Sequence, residues 1–173
     1  MMLDSQKYRE ALSNLGPESA VFVEPPIHFR EWLNEKRLPT ELANFLVSNA
    51  IRDELPFPTG CGGMWTAQEI MELNDQEPAI LGGGLFAVGN AINGDFIVLD
   101  LAEGAHGAGF VSHDELWEGP PRPVREFYVA VSESIHEMLA GISSELRAWI
   151  AGSRTGSNFP IDYCSALERT QSQ

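Results

Sequence analysis

The chain has 173 residues and 19.0 kDa, with 25 Asp and Glu against 11 Lys and Arg, giving a formal net charge of −14. Residues 53–121 carry twelve acids and neither Lys nor Arg, whereas residues 1–52 and 122–173 are each one charge from neutral. This balance excludes nucleic-acid binding through a basic surface, which needs Lys and Arg at the phosphates. An apolar content of 43% with four Trp excludes a disordered acidic chain.

The elements follow in chain order. Asp4 to Leu15 reads as a short amphipathic helix ended by Gly16-Pro17, and Glu24-Pro25-Pro26 as an extended connector. A second helical pattern has Ile27, Trp32 and Leu33 as its apolar members. Pro39 suits the first turn of a third helix, whose buried stripe is Leu42, Phe45, Leu46 and Ile51. The Pro- and Gly-rich stretch 53–63 reads as a loop. It leads to a T-x-x-E capping box, Thr66 with Glu69, and to staple positions at Trp65 and Ile70, so a helix is expected to about Leu73 or Asn74.

The period then changes. Leu85–Ile92 and Asp95–Leu101 are strand-like runs joined by Asn93-Gly94, the signal of a hairpin with a type I′ turn. Gly109 to His113 suggests a third strand, and Pro120, Pro121 and Pro123 break the chain. Val131, Ile135, Met138, Leu139, Ile142, Leu146, Trp149 and Ile150 form the stripe of a long last helix, with Gly141 as a kink position. Helices, then an antiparallel or mixed meander, then a long C-terminal helix make an α+β fold. One domain over residues 1–151 is expected, with a polar, partly mobile tail over 152–173. No apolar run nears the ~18 residues of a membrane span, and the polar N-terminus lacks the apolar core of a signal peptide. Cys61 and Cys164 have no metal-type spacing and no disulfide framework, so the expected setting is a reducing, cytoplasmic one.

Little in the sequence speaks for catalysis. Gly82-Gly83-Gly84 leads into a strand with no Lys nearby, whereas a phosphate loop leads into a helix N-terminus, so a structural turn is expected. Ser112-His113-Asp114 is a triad in letters only, since neighbours on a strand point to opposite faces. Cys61 reads as an ordinary loop thiol, and the abundance of acids makes any chosen carboxylate pair weak as glycosidase evidence. An enzyme with a carboxylate–histidine metal site around Asp100, His106 and His113 is the alternative, against the need for three converging ligands. No cofactor motif is found, and none is expected. Trp149 reads as a core residue and Trp65 as the staple of its helix, while Trp117, surrounded by Asp114, Glu115 and Glu118, reads as an exposed interface anchor.

Several segments together carry a family resemblance. Leu38-Pro39 opening a helix with Phe45-Leu46 resembles the "LP" helix of the SUKH superfamily, which includes the yeast cell-wall assembly regulator and many bacterial immunity proteins. Trp65 to Ile70, Leu85 to Gly89, Gly94 to Asp100, Gly109 to His113 and Val131 to Leu139 resemble its successive later segments. The resemblance covers residues 36–145. It implies a sheet wrapped by helices that binds proteins without catalysis, and in bacterial members neutralises toxins that are often nucleases.

The acid-rich middle suits that role, because complementary charge speeds association with a basic partner. The expected function is therefore a cytoplasmic, non-catalytic immunity protein that binds a basic toxin domain, with no nucleic acid and no membrane involved. The alternative is a regulatory scaffold unrelated to toxins. The candidate partner-binding residues are Glu69, Glu72, Asp75, Asp95, Asp100, Asp114, Glu115, Trp117 and Glu118, with Asp114 to Glu118 as the sharpest cluster. Plain solubility is the competing explanation of the acids.

Overall fold

A computed structural model describes residues 3–15, 20–57, 62–91, 94–102, 107–117 and 122–150, with side chains described to 143. Six strands form one antiparallel sheet in the order β1-β2-β3-β4-β5-β6, each beside its neighbour in sequence. They are β1 Leu55–Pro56, β2 Gly63–Met64, β3 Leu85–Asn90, β4 Phe96–Asp100, β5 Gly107–Val111 and β6 Tyr128–Ser132. Helices α1 Ser5–Ser13, α2 Ile27–Glu35 and α3 Thr40–Ser48 precede the sheet. Helices α4 Ala67–Gln76 and α5 Pro78–Gly82 lie between β2 and β3, α6 His113–Trp117 follows β5, and α7 Ile135–Ile150 comes last. The class is α+β, as the sequence leads one to expect.

Strand alternation divides the core in two. Phe86, Val88, Ile97, Leu99, Ala108 and Phe110 face a large cluster built from α1 to α4 and α7. Leu85, Ala87, Phe96, Val98 and Val111 face a smaller one with Ile80 of α5 and Val124 and Phe127 of a 3-10 turn. Every residue of β4 is buried, because both faces of the sheet are covered.

Local chemistry explains the helix ends. The Asp4 carboxylate accepts the N–H groups of Gln6 and Lys7 to start α1. At α4 the full capping box forms: the Glu69 N–H donates to Thr66 Oγ1 and the Thr66 N–H to Glu69 Oε2. Arg9 reaches from α1 to the C-terminal end of α3, donating Nε–H to Asn49 Oδ1 at 2.8 Å and Nη2–H to the Ser48 carbonyl.

Several expectations are corrected. Ile27 begins α2 but is 79% exposed, leaving Phe29, Trp32 and Leu33 as its buried face. Pro39 is the residue before α3 and not part of its first turn. The 53–63 stretch contributes the short edge strand β1 and the first residue of the short strand β2 beside it, and α4 runs on to Gln76. The third strand ends at Val111, and His113 opens a helix instead. Val131 belongs to β6, so the last helix starts at Ile135.

The β3–β4 hairpin forms, with a different turn from the one expected. The ladder closes where the Ala91 N–H donates to the Asp95 carbonyl at 2.7 Å, and the Gly94 N–H donates to the Ala91 carbonyl at 3.0 Å. Gly94 has φ +95. Three residues therefore separate the closing pair, where the expected turn has two, and the last of them is a glycine in the left-handed region. Asn93 itself, like Cys61, Cys164, His106, Glu118 and the tail 152–173, lies outside the described residues, as does the Trp149 side chain.

Candidate functional site

The candidate surface is built on α6. Ser112 precedes the helix, and its Oγ accepts the Glu115 N–H at 3.4 Å. The His113 N–H donates to Asp95 Oδ1 at 3.1 Å, and the imidazole Nδ1 lies 2.9 Å from the same oxygen. Nε2 lies 3.0 Å from Asp114 Oδ1, so the ring sits between two carboxylates. The Trp117 indole N–H donates to Glu77 Oε1 at 2.7 Å, from the residue that ends α4. Its ring meets Phe96 edge-on at 5.8 Å and His113 at 5.5 Å. Trp65 packs edge-on against the same Phe96 at 6.2 Å and donates its indole N–H to Asn90 Oδ1. An aromatic row, Trp65–Phe96–Trp117–His113, thus runs from the start of α4 to α6.

Trp117 is 59% exposed even though three neighbours hold it. An indole fixed by contacts at its edge and left open at its surface loses little freedom when a partner covers it. Asp114 stands beside it with its carboxylate 68% exposed. Glu115 is ion-paired with Arg122, whose guanidinium also lies over Phe127 at 5.7 Å. The edge is therefore less acidic than the sequence count implies, because the first base after the acid-rich stretch folds back onto it.

Of the nine candidate contacts, Asp114, Glu115 and Trp117 come together on α6. Asp95 and Asp100, in contrast to the surface position expected of them, are buried at 3% and 6% exposure. Asp95 holds His113, and Asp100 accepts both guanidinium nitrogens of Arg125, at 2.5 and 2.8 Å. Glu69 is consumed by the capping box, and Glu72 accepts the Gln68 amide. Asp75 faces α2, where it accepts the Trp32 indole N–H and lies 2.5 Å from Lys36 Nζ. The lysine hydrogen bond holds the Asp75 carboxyl below its usual range, with the Trp32 N–H adding to the effect.

Glu77 is the member that sequence reasoning missed, since nothing local links it to a Trp forty residues on. The start of α6, which the strand reading of Gly109 to His113 passes over, does carry a local signal: Ser112 with Glu115 is the S-x-x-E pattern of a helix N-terminus.

The glycine run is a turn, and its polarity is opposite to that of an anion loop. The carbonyls of Gly83 and Gly84 accept Nε–H and Nη2–H of Arg125, and Gly84 has φ +72. The carboxylate–histidine alternative is likewise broken up. Asp100 pairs with Gly107 at one end of β4, while His113 sits beyond Val111, which pairs with Phe96 at the other end. Among the described residues, no group of three or more His, Cys, Asp or Glu is arranged to hold a metal ion, and no helix is long and apolar enough to cross a membrane. Ser112 is engaged with the helix N-terminus and does not face His113 as a nucleophile would.

Comparison with protein-family models, with curated proteins and with solved structures finds no match to this chain.

Proposed function

We propose that the chain is a non-catalytic protein-binding domain that seats a basic partner on the α6 edge. In the manner of the bacterial SUKH immunity proteins it resembles, it acts in the cytoplasm and neutralises a cognate toxin domain, a nuclease being the chemistry that best fits. A nuclease must attract phosphate, so its active face is basic and complements an acidic edge.

The observation that carries the reading is Trp117. It is held by Glu77, His113 and Phe96, open to solvent, and flanked by the Asp114 carboxylate. Interface anchors are typically aromatic residues of this kind, and an exposed indole beside carboxylates favours a cationic side chain stacked on its face.

The test is co-purification with the product of the adjacent gene, followed by calorimetry on the purified pair. Trp117→Ala should weaken the complex by at least about 2 kcal/mol, roughly thirtyfold in Kd. A complex that forms with unchanged affinity in Trp117→Ala overturns the assignment of this edge.

A further inference from the structure

We infer that the outer side of β6 is a second docking edge, where an extended segment of a basic partner adds to the sheet as a further strand. The inference gives the basic partner proposed above a second surface, and it shares with that reading only the partner's charge.

The sheet has two edges, and the chain guards them unequally. At one edge β1 is two residues long, one of them is Pro56, which has no N–H to offer, and the exposed Asp53 and Glu54 lead into it. At the other edge β6 has five residues, with neither Pro nor a charged side chain among them and with the β-branched Val129 and Val131. None of its residues is buried, whereas every residue of β4 is. β5 pairs with it on one side. Among the described residues, no backbone group bonds to Val129, Ala130 or Val131 from the other side. Val129 and Val131 pack on the larger core with Ile135, Met138 and Leu139 of α7, which holds the strand in place, while Ala130 is exposed. The β5–β6 register shifts at Val131, and that bulge limits the regular ladder to the first part of the strand. A short segment fits such an edge better than a long flat sheet does.

Charge decides which occupant the edge takes. The run from Phe127 to Ser132 is uncharged, with the exposed Glu126 before it and the exposed Glu133 after it. In extended chain these two glutamates stand roughly 20 Å apart. Neither is ion-paired among the described residues. A second copy of the chain fits poorly. Two β6 strands paired antiparallel about Ala130 would set Glu126 of each copy beside Glu133 of the other, and like charges across strands repel. A segment with Lys or Arg on both sides of a short uncharged run meets the same glutamates as counter-charges, and its backbone pairs with the outer N–H and C=O groups. Tyr128 pairs with Val111 at the end of β5 that leads into α6, so both surfaces lie at one end of the sheet.

The experiment is amide hydrogen exchange on the full-length protein with a synthetic probe, the acetylated and amidated peptide Lys-Lys-Thr-Val-Thr-Val-Lys-Lys. At a peptide concentration about ten times its Kd, the outward amides among Val129 to Val131 should gain about tenfold in protection, and the amides of α6 should not change. Combining Glu126→Lys with Glu133→Lys, two exposed positions, should weaken peptide binding about three- to tenfold. A copy of the peptide N-methylated along its Thr-Val-Thr-Val run keeps the charge but cannot pair, and should leave β6 unprotected. Absence of β6 protection, or equal protection by the methylated copy, overturns the added strand. Protection of Val129 to Val131 that rises with protein concentration alone assigns the edge to a second copy and overturns the basic occupant. Trp117→Ala should bind the peptide as the wild type does. Loss of the α6 reading therefore leaves this edge standing, and failure of the peptide leaves the α6 reading standing.

Discussion

Asp75 shows how a single residue departs from its sequence reading. Chosen as a surface acid, it is instead the anchor of α2 on α4, gripped by Lys36 and the Trp32 indole N–H, with Lys36 also 5.4 Å from the Trp32 ring centroid. These donors hold its folded pKa below the unfolded value, so it contributes stability above the unfolded pKa and loses it as pH falls through the folded one. Urea titrations should show wild-type stability falling on acidification through the carboxylate range near pH 4 and below. Asp75→Asn should be less stable at pH 7, by a few tenths to 1 kcal/mol given its half-exposure, and the gap should close on acidification. A gap that persists in acid would assign the effect to packing. At the same scale, Asp95 and Asp100 explain why the acid count misled. Alternation places strand residues on two faces, but the sequence does not say that both faces are covered, and here each carboxylate is buried against a partner of its own.

At the scale of elements, the joint between α4 and β3 rests on Asn74, a residue that is 1% exposed and that no pattern marks. β2 pairs with β3 only at Gly89 and Asn90, and the β3–β4 register shifts between Ala87 and Gly89. The edge of β3 at Ala87 is therefore left without a strand beside it. The Asn74 amide takes that place: it accepts the Ala87 N–H at 3.1 Å and donates to the Ala87 carbonyl at 2.9 Å and the Ile70 carbonyl at 2.8 Å. Asn74→Ala should cost about 2–4 kcal/mol in chemical denaturation, because it strands buried backbone groups, while Asn90→Ala, at a half-buried position, should cost less. Elements with strong local signals were legible, namely the capped α4, the hairpin and the α1 to α3 stripes. β1 and β2 were hidden because two-residue strands inside a Pro- and Gly-rich stretch have no period to detect. β6 was hidden because Val131 falls in phase with the helix that follows it. In β5, Gly109 is explained by the neighbouring strand, since a Cβ there would overlap the Val129 carbonyl.

At the scale of the whole molecule, charge is the property that concerns partners. The two ends of the chain are each close to neutral, and the acid-rich middle supplies nearly all of the −14. The fold then spends much of that acid internally, on Arg125, Arg122, Lys36, His113 and the α4 cap. What remains at the α6 edge acts at long range, where salt screens it with a length of about 10 Å at 0.1 M. For the complex proposed above, the association rate should fall by about an order of magnitude between about 50 and 500 mM salt, with the dissociation rate changing less. Stopped-flow mixing measures both. An association rate indifferent to salt would leave the acids a solubility role alone.

The order β1 to β6 without a crossover has a kinetic consequence. Each strand finds its partner in the segment just made, so the sheet assembles through short loop closures, which are fast. A much longer closure joins the two ends of the chain in the larger core, where α1 lies on α7 and the Ser143 hydroxyl donates to the Asn14 carbonyl across 129 positions of chain. Because a long closure costs more chain entropy than a short one, the docking of the opening helix on the closing one should come late in folding.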